Sequence, residues 1–125
     1  MNQIIHTDRA PAAIGPYSQA VKADNLLFVS GQLPIDPATG AFSGEDIASQ
    51  TRQSLTNVRS ILEEAGYALS DVVKTTVLLA DIGDFTAMNA VYAEFFTSNC
   101  PARAAFAVKD LPKGAKVEIE VIASK

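Results

Sequence analysis

The chain is expected to adopt an α+β fold, with two helices packed on one face of a single mixed β-sheet. Three observations carry that expectation. From Asp46 to Ala65, apolar or small residues recur at spacings of three and four, as they do on one face of an α-helix. A second helical pattern covers about residues 84–97. The rest of the chain holds short runs rich in β-branched residues, best developed in DVVKTTVLLA at 71–80. The resulting order is β-β-β-α-β-α-β-β, which suits one sheet with helices on one side rather than a regular βαβ alternation.

Residues 2–6 (NQIIH) form a short first strand, and 10–16 (APAAIGP) an irregular connection rich in Pro and Gly. Residues 17–22 and 25–31 are two strands joined by a tight turn at Ala23-Asp24-Asn25. Residues 32–44 hold two prolines and two glycines and form a loop. The first helix carries Ile47, Thr51, Leu55, Val58, Leu62 and Ala65 on its inner side. Gln53, Asn57, Arg59, Glu63 and Glu64 fall mostly on the other. Ser43 and Asp46 form an N-terminal capping pattern, and Gly66 fits the position after the last turn. In the second helix Asp84 is the expected N-cap, with Phe85, Met88, Tyr92 and Phe95 as the apolar stripe. Strands at 103–108 and 116–123 close the chain, connected by the turn at Leu111-Pro112-Lys113-Gly114.

The last strand separates two faces. Val117, Ile119 and Val121 point one way and must meet the helices; Glu118 and Glu120 point the other. In 103–108 the same alternation groups Arg103 with Ala105 and Ala107. The expectation is that Arg103 shares the polar face with Glu118. Such a face is either solvated or folded into an interface between subunits.

The length, 125 residues, suits one domain spanning 1–125, and 48% hydrophobic residues suffice for a core. Charged residues make up 19%, below the ~25% of an average domain, a weak sign that another subunit covers part of the surface. Net charge is −4, and Lys and Arg form no run, so the footprint of a nucleic-acid or membrane-surface binder is missing. The single cysteine, Cys100, excludes an intrachain disulfide and suits a reducing, cytoplasmic setting. The N-terminal segment carries no basic stretch followed by a long apolar one, so neither a signal peptide nor a membrane span is expected.

The chemistry left open is narrow. His6 is the only histidine and is far from Cys100 in sequence, so no zinc set of ordinary spacing exists and no metal is expected. Neither a phosphate-binding P-loop nor a dinucleotide-binding glycine pattern occurs. A Ser-His or Cys-His pair would have to recruit His6 from the N-terminal segment, a poor place to hold two groups in register. What remains is Arg, Glu, Tyr, Ser, Asn and backbone amides, which together bind a small anion and position a water.

Short segments along the whole chain resemble the signature segments of the Rid (YjgF-like) family. They include Ala13-Ile14-Gly15-Pro16-Tyr17-Ser18-Gln19-Ala20, Val29-Ser30-Gly31-Gln32-Leu33-Pro34 and Gln53-Ser54-Leu55-Thr56-Asn57-Val58. Val73-Lys74-Thr75-Thr76-Val77, Asp84-Phe85, Met88-Asn89, Tyr92 and Phe95-Phe96 follow, then Pro101-Ala102-Arg103 and Val117-Glu118-Ile119-Glu120. Each is short; together, in this order, they are specific. The resemblance implies a chorismate-mutase-like homotrimer with sites in clefts between subunits. It implies hydrolysis of reactive 2-imino acids, 2-iminobutanoate and 2-iminopropanoate, to 2-keto acids and ammonia, without a cofactor.

On the same resemblance, Arg103 takes the position of the substrate-carboxylate anchor, for which a planar guanidinium is suited. Glu118 matches the water-positioning acid of the Glu-x-Glu strand. Glu120 is the secondary candidate, better suited to a structural or inter-subunit contact. Tyr17 offers a phenolic donor, Ser30 and Gly31 a polar strand end that a ligand can approach closely, and Asn89 an amide on the second helix. The chain departs from many relatives at Ala105, where they carry cysteine, so a thiol role there is absent while a backbone carbonyl contact to substrate survives. Two other readings stay open: a non-catalytic small-molecule regulatory binder using the same cleft, and a chaperone- or ribonuclease-type stress protein. The acidic charge balance argues against RNA cleavage.

Overall fold

The computed structural model describes residues 2–125. Six strands form one sheet: β1 (Gln3–Ile5), β2 (Ala20–Ala23), β3 (Leu26–Gln32), β4 (Val72–Leu79), β5 (Ala102–Ala107) and β6 (Val117–Ser124). Two α-helices, α1 (Ile47–Glu64) and α2 (Phe85–Phe95), complete the order, which is the expected one. Across the sheet the strands run β1-β2-β3-β6-β4-β5, so the last strand in sequence lies in the middle. All pairings are antiparallel except β4 with β5, which are parallel and joined through α2. The Leu111–Gly114 turn therefore connects two strands that do not pair; β4 lies between them.

Both helices cover one face. Leu55, Val58, Ile61 and Leu62 of α1 and Met88 of α2 meet Val77, Leu79, Val117, Ile119 and Val121 in a continuous core. Asp46 caps α1, its carboxylate accepting from the Ser49 amide at 2.9 Å. Gly66 takes a φ of +82° just past the helix, as the sequence anticipated. Asp84 does not cap α2. A 3-10 turn at Ile82–Asp84 precedes the helix, and Asp81 supplies the cap by accepting from the Gly83 amide at 2.8 Å. Asp84 sits near-helical (φ −86°, ψ 0°), and its side chain makes no capping bond. The buried side of α2 is Met88, Val91 and Tyr92, and Phe96 beyond its end is more buried than Phe95.

The opposite sheet face is more apolar than strand alternation suggested. Phe28 and Phe106 lie on it, 43% and 47% exposed, among Lys74, Thr76, Glu118 and Glu120. No helix is long and apolar enough to cross a membrane among the described residues.

Candidate active site

The candidate residues fall into two cavities. The larger, about 640 Å³, is lined by Tyr17, Ser30, Gly31, Glu118 and Glu120, with Ile14 and Leu33 at its sides. Its centre is a bulge in β3. Val29 pairs with Val121 and Gln32 with Ile119, so Ser30 and Gly31 together oppose a single residue of β6. The bulge brings backbone close to the Glu118 carboxylate: a Cβ on Gly31 would meet Glu118 Oε2, so a larger residue there requires that carboxylate to move. Burial pushes the Glu118 carboxyl above the usual range, and the neighbouring charge of Glu120 adds to the effect.

The segment carrying Tyr17 is held by side chains. Ser30 donates from its hydroxyl to the Ser18 carbonyl at 2.6 Å and from its amide to the Gln19 carbonyl at 2.9 Å. The Ser30 hydroxyl thus tethers the segment instead of standing free in the cavity. Gln19, buried, accepts from the Thr7 amide at 2.8 Å and donates to the carbonyls of Thr7 (3.0 Å) and Pro11 (2.8 Å). Neither Gln19 nor Asn57 stood out as a site-building residue in the sequence. Asn57, expected on the outer side of α1, is fully buried and donates to the carbonyls of Leu33 (3.2 Å) and Ile35 (2.9 Å), fixing the cavity's other wall. The available signal was indirect: Gln19 follows the Pro- and Gly-rich 10–16 segment, and Asn57 reaches carbonyls of the Pro- and Gly-rich 32–44 loop, whose backbone groups need partners.

The second cavity, about 450 Å³, is lined by Asn89, Tyr92, Phe96, Cys100 and Arg103. Arg103 Nη1 donates to Asn89 Oδ1 at 2.6 Å. The guanidinium carbon lies 4.7 Å from the Tyr92 ring centre and 5.5 Å from that of Phe85. The Tyr92 hydroxyl is 2.8 Å from Thr75 Oγ1, in the core. Cys100 donates weakly to the Phe96 carbonyl. Asn89 is therefore engaged with the arginine.

The expectation that Arg103 and Glu118 share a sheet face is overturned. Thr75 opposes Arg103 on one side and Val121 on the other, so all three project to the helix side. Leu78 opposes both Phe106 and Glu118, which project to the other side. Alternation within a strand sorts its residues into two sets; only the register with a neighbour says which set faces the helices. Ala105, opposite Val77, packs its methyl against the core and lines neither cavity.

A match to the family model described as Endoribonuclease L-PSP spans residues 7–125. The chain belongs to the YjgF/Rid family. Within it, a RutC family protein of Pyrococcus horikoshii is 56% identical over 100% of this chain and 99% of that protein. The protein of Bos taurus named 2-iminobutanoate/2-iminopropanoate deaminase is 54% identical, over 98% of this chain and 90% of its own. Among solved structures, Escherichia coli TdcF with bound serine superposes with a TM-score of 0.95 at 44% identity, covering 98% of both chains. The Rid chain described here is of the RidA type and has the family's chorismate-mutase-like fold.

Proposed function

We propose that this Rid protein hydrolyses 2-iminobutanoate and 2-iminopropanoate to the corresponding 2-keto acids and ammonia, in sites shared between subunits of a homotrimer. One observation carries the reading: a carboxylate-type anchor, Arg103, and a desolvated acid, Glu118, open into separate cavities on opposite faces of one chain. A second copy laid against the exposed Phe28 and Phe106 face supplies the missing half, Arg103 from one subunit facing Glu118, Tyr17 and Gly31 of its neighbour. The deaminase name of the Bos taurus relative supports the same chemistry.

In this mechanism Arg103 pairs with the substrate carboxylate and sets the imine carbon over the bulge. Glu118, ionised, accepts a proton from a water whose oxygen attacks that carbon, and the C=N π electrons pass to nitrogen. The proton then moves to the nitrogen of the resulting carbinolamine. The hydroxyl proton then passes through the Glu118 carboxylate to that nitrogen as the C–N bond breaks, so ammonia leaves, the hydroxyl oxygen becomes the keto oxygen and Glu118 ends ionised. Tyr17 and Gly31 line the same cavity, and their hydroxyl and amide are the donors this reading assigns to the developing charge. No cofactor enters this balance.

The test generates 2-iminobutanoate with a threonine dehydratase and traps it with semicarbazide. Added protein should lower the semicarbazone yield. Absence of any effect on several imino acids would refute the enzyme reading, and a mass near the 13.2 kDa of one chain would refute the shared site. Serine bound to TdcF favours a second reading, a non-catalytic small-molecule binder. It predicts ligand binding without turnover.

A further inference from the structure

We propose that Tyr92 is a positioning residue for Arg103: its ring is the floor on which the guanidinium lies, and its hydroxyl fastens that floor to the sheet through Thr75. The proposal rests on the reading of Arg103 as the carboxylate anchor.

Arginine has several rotatable bonds, and Arg103 lies on the exposed edge strand. A single hydrogen bond to Asn89 holds one nitrogen but leaves the guanidinium plane free to swing. The rings limit that swing. Phe85, Asn89 and Tyr92 follow one another at spacings of four and three, which places them on one stripe of α2. That stripe offers Arg103 a ring, an amide oxygen and a second ring in succession. Of the two rings Tyr92 is the closer, and it is buried where Phe85 is only partly so.

A phenylalanine would serve if Tyr92 only filled the core. The hydroxyl instead meets Thr75 Oγ1 at 2.8 Å, and Thr75 is the residue directly opposite Arg103 in the parallel β4–β5 register. The helix is thereby pinned to the sheet at the level where the arginine emerges. Tyr92 also packs against Phe96, with ring centres 4.8 Å apart and planes inclined at 37°, a further restraint on the ring. The arrangement holds one edge of the guanidinium on Asn89 and its face on a ring, leaving its remaining N–H groups for a planar anion.

The experiment compares wild type with Tyr92→Phe, Tyr92→Leu and Thr75→Val, each checked for a folded state. It reads relative kcat/KM for 2-iminobutanoate from semicarbazide competition. It also reads the Arg103 Nε–Hε resonance in 15N-labelled protein, assigned with Arg103→Lys. Tyr92→Leu should lower kcat/KM by ~10-fold, the order expected for a misaligned anchor, and move the Arg103 resonance to the position of a free arginine. Tyr92→Phe and Thr75→Val should each cost ~3-fold and broaden that resonance, from loss of one buried hydrogen bond. A folded Tyr92→Leu protein with an unchanged Arg103 resonance overturns the proposal, whatever its activity. If Tyr92→Leu does not fold, unchanged resonances in both conservative variants overturn it. Should wild type lack deaminase activity while the resonance responds as described, the assignment of Arg103 as substrate anchor fails and the positioning role stands.

Discussion

The two cavities hold their key groups by different means. Around Arg103 the restraints are side chains of α2: an amide oxygen and two aromatic rings, with the nearer ring fastened to the sheet. Around Glu118 the walls are backbone, a bulge at Ser30 and Gly31 and two irregular segments, and the buried Gln19 and Asn57 side chains tie those segments down. The charge logic differs accordingly. A guanidinium keeps its charge in almost any surroundings, so it can rest on an exposed edge among aromatic faces and still bind a carboxylate. A titratable acid answers to its surroundings, and burial raises the Glu118 carboxyl above its ordinary range, with the charge of Glu120 close by adding to the effect. Side chains suffice to aim a permanent charge. Shifting a titratable group takes partial burial, and here backbone walls supply it.

Arg103→Ala should break this contrast most completely. Loss of a charge-assisted carboxylate contact is expected to lower kcat/KM by ~100-fold, about 3 kcal/mol, with little change in thermal stability because the residue is exposed. Relative rates from the competition assay and a melting curve check both halves. Next comes Gln19→Ala, which leaves the Thr7 amide and several carbonyls without their partner. It should cost ~2 kcal/mol in urea unfolding at fixed protein concentration. Gly31→Ala follows, because its methyl must displace the Glu118 carboxylate. A ~10-fold fall in kcat/KM with Arg103 binding geometry intact would sharpen the distinction between the halves.

The smallest effects concern pH. In the proposed mechanism Glu118 is ionised when it takes a proton from water, so activity should fall toward acid from a higher pH than an ordinary glutamate would give. Glu120→Gln removes a like charge and should move that limb to lower pH in a pH–rate profile. The linked stability runs the other way. A folded-state pKa above the unfolded one means the native state binds the proton more tightly. Stability is then lost as pH rises from the usual glutamate range through the raised value. Glu118→Gln should therefore melt higher than wild type at neutral pH while losing turnover, whereas at low pH the two should converge.

Much of the architecture was legible in the chain. The periodicity of α1, the β-branched run of β4 and the alternation of β6 are local patterns, and local patterns survive into the fold. Capping was legible in part at the start of α1, where the Ser43–Asp46 pattern marked the right place but Asp46 itself is the cap, and not at Asp84, where a preceding 3-10 turn moved the cap to Asp81. The candidate residues were legible as residue types and motif positions, and the structure adds which of them share a cavity. Glu118, Tyr17, Ser30 and Gly31 do converge on one cavity, and Arg103 and Asn89 on another. The buried roles of Gln19, just before β2, and Asn57, on α1, were not readable, because a polar residue does not announce which distant carbonyl it will reach.

Element order, the aliphatic face of β6 and the absence of zinc-type spacing all follow from residue identities taken in sequence. Which way Arg103 points does not. That depends on β5 pairing parallel to β4 with Thr75 opposite Arg103, a long-range register that no local period contains. The same register separates Arg103 from Glu118 within one chain. Period-two alternation names the members of each face but carries no sign, and the sign comes only when a neighbouring strand with an already buried face locks beside it.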